Sequence, residues 1–240
     1  MAKLALPDLL DRVRRAALAP GRRALRIAYV NAHSVNLFLD HPRYREALLA
    51  ADLIYADGNG PRLAARLSGD RLPPRMTGAD WIHDLCRLSV RESLSLYFLG
   101  AAPGVAQEAA HRLAERWPGL RVVGLHHGFL DATEMPALVR QIGAARPHIV
   151  LLAMGSPRQE IWMAEFGDAL GVPVVWAGGG VLDYASGRIR RAPRLMCRIG
   201  LEWLGRALIE PRRLGPRYLF GIPLFVWRAL RHAARPRSDR

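Results

Sequence analysis

The chain has 240 residues, half of them hydrophobic and 23% charged, which is enough apolar material for a sizeable core and excludes a disordered or collagen-like chain. Its formal net charge of +14 is uneven: from Ser186 onward 14 arginines meet only Glu202, Glu210 and Asp239, so the positive field belongs to a C-terminal module suited to phosphates, nucleic acid or an anionic membrane surface. Two distant cysteines, Cys86 and Cys197, argue against a disulfide framework; no apolar run reaches the roughly 20 residues of a spanning helix; and the N-terminus, with Asp8 and Asp11, does not read as a secretory signal.

From Arg26 short β-like runs alternate with helical stretches. The runs cover 26–31, 53–57, 94–100, 120–125, 148–155 and 172–180, and several are apolar almost throughout, as strands of a parallel sheet buried on both faces should be. Between them 35–50, 61–67, 79–90, 104–116, 133–145 and 158–170 carry apolar residues at three- and four-residue spacing, with Pro103 and Pro157 at helix starts and Gly119 and Gly171 at helix ends. The pattern predicts an α/β fold with a Rossmann-like, mostly parallel sheet flanked by helices. After Gly187 it changes to Arg-rich helices around 195–209, a turn at Glu210–Pro211, then an apolar patch and a basic tail from Arg217. Residues 1–186 therefore read as one α/β domain and 187–240 as a basic helical appendage.

Ligands of open parallel sheets bind outside the carboxyl ends of the strands, and there the sequence is polar and glycine-rich. The six runs lead into Asn31 with His33 and Ser34, Asp57–Gly60, Gly100–Gly104, His126–Gly128, Gly155–Glu160, and Gly178–Gly180 followed by Asp183. This edge suits a nucleotide-sized ligand. Each feature also has a plain structural reading: Asp57-Gly58 is a common turn dipeptide, and Gln159-Glu160 fits an acidic helix start. Gly100–Gly104 is able to cradle a diphosphate with backbone N–H groups, yet it has neither the P-loop ending nor a GxGxxG fingerprint. His126 and His127 read as solvated side chains before metal ligands. Arg191, entering the basic module, is placed to meet a diphosphate.

None of the twelve aspartates is two residues from another, so no Asp-x-Asp motif is present to hold a metal against a sugar-nucleotide diphosphate. Gly-x-Ser-x-Gly and His-Glu-x-x-His are absent too. Arginines beside the edge are then the candidates to stabilise a departing diphosphate.

Asn31, Ala56–Gly60, Arg75–Asp80, Gly155–Glu160 with Trp162, Arg191–Pro193, Gly200–Trp203, and Glu210–Arg213 with Arg217-Tyr218 occur in this order, and the stretch from Arg26 to Arg217 resembles the WecG/TagA/CpsF family of glycosyltransferases. The resemblance implies an inverting, metal-independent and cofactor-free transfer of a hexose, an N-acetylhexosamine or its uronic acid. The donor is a UDP-sugar and the acceptor a sugar on undecaprenyl diphosphate, in surface polysaccharide synthesis. It implies Asp57 and Asn31 as the catalytic pair, Asp57 being the general base, Asn31 and Gln159 as residues that orient the donor, and Arg206, Arg213 and Arg217 as arginines that close over the diphosphate. Tyr29 stands where the family often has threonine. The expected location is the cytoplasmic face of the plasma membrane, held peripherally at an anionic surface, and self-association stays open. Two other readings compete, a nucleotide-cofactor oxidoreductase and a nucleic-acid-binding protein. The missing GxGxxG speaks against the first, and Leu219, Phe220, Ile222, Leu224, Phe225 and Trp227 within the basic module suit lipid better than a nucleic acid.

Overall fold

The computed structural model describes residues 2–19, 21, 23–129, 131, 133–189, 196, 204, 205 and 209–234, apart from the side chains at 212, 213 and 216. The six apolar runs become six parallel strands, β1 (Leu25–Val30), β2 (Leu53–Ala56), β3 (Ser95–Gly100), β4 (Arg121–His126), β5 (Ile149–Ala153) and β6 (Val174–Ala177), in the order β2-β1-β6-β5-β3-β4. The expected α/β architecture is borne out. Ile27 sits opposite both Leu53 of β2 and Trp176 of β6, which sets the register at the sheet centre. Edge strand β4 alone alternates between exposed and half-buried residues at its start.

Period-two geometry sends neighbouring strand residues to opposite faces, and both faces are covered. On one, Ile27, Phe98, Leu151 and Trp176 pack under α1 (Leu6–Leu18), α5 (Gly78–Arg91), α6 (Val105–Arg116) and α9 (Val181–Ala185). On the other, Ala28, Leu99, Leu152 and Val175 meet α3 (Pro42–Leu49), α7 (Met135–Ala145) and α8 (Arg158–Phe166). Trp81 of α5 stacks on Trp176 at 4.2 Å between ring centroids and donates its indole N–H to the Tyr55 hydroxyl at 3.1 Å, so the aromatic centre of the first face is also hydrogen-bonded.

Three local differences from the sequence expectation have physical causes. Helix α1 lies ahead of the first expected element; it buries Leu9, Val13 and Ala17 at four-residue spacing, with arginines on the remaining faces. The single helix expected over 35–50 is two, α2 (Ala32–Asp40) and α3: Pro42 cannot donate an N–H into a continuing helix, and the His41 side chain caps the restart by accepting the Tyr44 N–H at 3.2 Å. Pro211 opens a helix instead of closing a turn, giving α10 (Pro211–Leu219) and then α11 (Gly221–Ala233). The helices expected around 195–209 lie largely outside the described residues.

Helix α11 packs on α2 and on α4 (Gly60–Leu67). Asn36 donates to the Gly221 carbonyl at 2.8 Å, and Arg228 binds Asn36 at 3.0 Å and Asp40 at 2.9 Å. The Arg228 guanidinium holds the Asp40 carboxyl below its ordinary range. These contacts join the C-terminal helices to the sheet domain along one side of α2.

Gly100 ends β3 at φ +135°, and a Cβ there would overlap the Ala153 carbonyl of β5. Gly104, at φ +84°, has open space where a Cβ would stand, so only its backbone conformation is at stake. Gly100→Ala is expected to cost about 2–4 kcal/mol, combining backbone strain with a clash, against about 1 kcal/mol for Gly104→Ala, both read from urea midpoints.

Candidate active site

A cavity of about 670 Å³ opens at the carboxyl ends of β1, β2, β5 and β6. Its floor is the strand ends, one wall is α4, and α10 and α11 form the roof through Leu214, Arg217, Tyr218, Ile222 and Phe225. The size falls within the range of small-molecule sites.

Asn31 follows β1 and caps α2: its Oδ1 accepts the Ser34 N–H at 3.1 Å and the Ser34 hydroxyl at 3.2 Å. That leaves the side-chain NH₂ for Asp57, whose Oδ2 accepts it at 3.4 Å. The Asp57 backbone N–H in turn donates to the Val30 carbonyl at 2.8 Å, setting the first residue after β2 beside the last of β1. The two expected catalytic residues are thus brought together on the cavity floor, and both line it.

Tyr29 also lines the cavity. Burial, together with the Glu160 and Asp57 carboxylates, pushes its phenol well above the ordinary value, so it stays a neutral hydroxyl. Its oxygen lies so close over Gly179 that a Cβ there would overlap it, and Gly179 also has φ +62°. A side chain is barred from that position on both counts.

Gln159 does not line the cavity. It is fully buried beneath it: Oε1 accepts the Gly179 N–H at 3.0 Å, and Nε2 donates to Glu160 Oε1 at 2.8 Å, which also receives the Ser156 hydroxyl at 2.8 Å. Gln159 therefore holds the Gly178–Gly180 turn that forms the floor. Glu160 is equally buried, and burial raises its carboxyl above the ordinary range.

Arg217 of α10 reaches the cavity and lies near His33, which lines it from the first turn of α2. Burial first, then the Arg217 charge, lowers the His33 imidazole to about 4, so it is neutral at pH 7. Gly100 and Asp183 are not among the lining residues; the Asp183 carbonyl instead accepts from Ile189 N and the Ser186 hydroxyl at the end of α9. Arg191 and Arg206 lie outside the described residues, as does the side chain of Arg213. His126 at the end of β4 and His127 just after it sit together outside the cavity lining, and among the described residues no three His, Cys, Asp or Glu side chains converge as a metal site would require. Sequence reasoning missed Arg62 and Arg66, which line the cavity from α4; their four-residue spacing directly after Asp57–Gly60 was the available signal.

The neutral burial of His33 contributes stability that is present above its ordinary value of 6.5 and is lost as pH falls toward about 4, because the unfolded chain takes up the proton first. His33→Asn is expected to flatten the fall of the urea midpoint between pH 6.5 and 4, leaving the other acid-sensitive groups in place.

The sequence model of the glycosyl transferase WecG/TagA/CpsF family matches residues 1–239. The N-acetylglucosaminyldiphosphoundecaprenol N-acetyl-beta-D-mannosaminyltransferase of Bacillus spizizenii is 31% identical over 194 residues, 81% of this chain and 74% of that protein. The protein of the same name from Staphylococcus aureus is 29% identical over 202 residues, 84% of this chain and 78% of its own. With a match of that extent, the chain belongs to the WecG/TagA/CpsF family of glycosyl transferases.

Proposed function

We propose that the chain moves a sugar, in the first instance an N-acetylhexosamine, from a UDP-sugar to a sugar carried on undecaprenyl diphosphate, inverting the anomeric centre without a metal ion. The observation that carries this reading is the Asp57 carboxylate, held by Asn31 on the floor of a cavity roofed by Arg217. Both relatives carry names that specify transfer of an N-acetylmannosaminyl group to an N-acetylglucosaminyl diphosphoundecaprenol.

In this reading Asp57 takes the proton from the acceptor hydroxyl as its oxygen attacks the anomeric carbon. The bond from that carbon to the diphosphate breaks in the same displacement, and its electron pair leaves with UDP. Arg217 meets the charge that develops there, with Arg191, Arg206 and Arg213 as further cations of the same module. Asn31 aims the carboxylate, while Gln159 acts on the donor indirectly by fixing the Gly178–Gly180 turn. Tyr29 supplies a neutral hydroxyl where the family often has threonine.

Residues 1–186 then form the catalytic domain, and 187–240 an appendage that brings it to the lipid at the cytoplasmic face of the plasma membrane. Leu219, Phe220, Leu224, Trp227 and Leu230 are exposed along α10 and α11 beside arginines, which supports interfacial binding. Among the described residues no helix is long and apolar enough to cross a membrane.

Asp57→Asn is expected to lower UDP release in the presence of acceptor by about 10²-fold or more, with UDP affinity retained, since a positioned general base contributes roughly 10²–10⁴. Turnover near the parent level in a folded Asp57→Asn protein would return Asp57 to a turn residue. Release should also persist in EDTA, and dependence on added Mg²⁺ or Mn²⁺ would overturn the metal-free mechanism.

A further inference from the structure

Transfer to a lipid-linked sugar brings two diphosphates to one site, the donor's and the acceptor's. The basic side chains of the C-terminal module answer the first. On the opposite wall, Arg62 and Arg66 of α4 line the cavity, one helical turn apart on the same face, about 6 Å along the axis. Both also line an adjoining groove that contains Arg71.

Arg62 is half-buried; its one hydrogen-bond partner among the described residues is the Asn59 side-chain oxygen at 3.5 Å, and its buried Nε has none. Neither Arg62 nor Arg66 forms an ion pair with a described carboxylate at the site. The groove's one carboxylate, Asp70, is bound by Lys3 at 2.6 Å, so it does not cancel the three arginines. A semi-buried guanidinium with an idle donor beside a cavity is suited to an anion that arrives later.

Position narrows the anion. Helix α4 begins at Gly60, directly after the Asp57–Asn59 turn, so Arg62 stands one loop away from the proposed base. An acceptor sugar with its hydroxyl at Asp57 has its anomeric diphosphate one sugar length away, and α4 is a wall of the cavity that Asp57 lines. Exposed Leu63 lies between the two arginines in sequence, and Ile222, Phe225 and Val226 of the neighbouring α11 line the same cavity, giving the wall an apolar flank. Cations beside an apolar flank match a diphosphate esterified to a hydrocarbon chain better than they match a nucleotide.

We propose that Arg62 and Arg66 form a second anion subsite, distinct from the donor's, that takes the diphosphate of the lipid-linked acceptor; this rests on the transfer reading above. Arg71 extends the positive surface outward, and the first isoprene units lie against Leu63 and α11.

The test is calorimetric, with farnesyl diphosphate as acceptor probe and UDP as donor probe. The parent protein should bind farnesyl diphosphate whether or not UDP is already bound. The double variant Arg62→Gln/Arg66→Gln should bind farnesyl diphosphate at least about tenfold more weakly, with UDP affinity changed by less than about twofold. Arg66→Glu, at an exposed position that spares the fold, should weaken farnesyl diphosphate further than Arg66→Gln. Unchanged farnesyl diphosphate affinity in the double variant, mutual displacement of the two probes, or a parallel loss of UDP binding would overturn the second subsite. Failure of the transfer reading would show separately, as absence of UDP release by the parent protein from any UDP-sugar, while the two titrations would still read the subsite directly.

Discussion

A parallel sheet covered by helices on both faces has only the ends of its strands left for polar chemistry, and every feature of the site follows from that constraint. Asn31 shows how tightly it binds. Standing at the end of β1, its side chain serves an open N–H of α2 and the carboxylate after β2 together, and it divides the work by atom, oxygen to Ser34 and nitrogen to Asp57. Exchange of the amide orientation would lose both bonds. The geometry around the carboxylate is thus fixed by ordinary helix capping rather than by an added device.

Beneath the floor, the same economy governs β5 and β6. Gln159 and Glu160 are polar groups with no exposure, and a buried polar group has to be hydrogen-bonded or it destabilises the fold. Gln159 meets this by holding the Gly179 N–H, which shapes a turn whose glycine lies under the Tyr29 oxygen. One Glu160 oxygen collects both Ser156 and Gln159, and the other finds no partner among the described residues. The cost of that burial is tolerated where it stiffens the floor of the cavity.

The strands are legible in the sequence because burial on both faces removes alternation and leaves continuous apolar runs, as at Ile149–Ala153. Helix α1 is not, since Leu9, Val13 and Ala17 are spread among charged residues and their meaning depends on the sheet face they cover. Asn31 and Asp57 are readable from strand ends and motif order, and their meeting is visible only once β1 and β2 pair. Gln159 is readable as a residue of the site but not as a buried one: a strand-end position does not say whether a side chain points into the cavity or under it. Arg62 and Arg66 do not stand out because arginines at four-residue spacing also describe any solvated helix face, and only the roof made by α11 turns that face into a wall. Gly100 looks like a phosphate turn by its spacing, whereas the approach of β5 explains it.

Helix α2 links two parts of the molecule that the chain separates by as many as 192 residues. Its first turn is capped by Asn31, and its later turns carry Asn36 and Asp40, which grip Gly221 and Arg228. A nine-residue helix is a stiff rod about 13 Å long. A tilt of α11 would load that rod, whose far end carries the amide that aims Asp57, so the seating of the roof and the aim of the carboxylate share one helix.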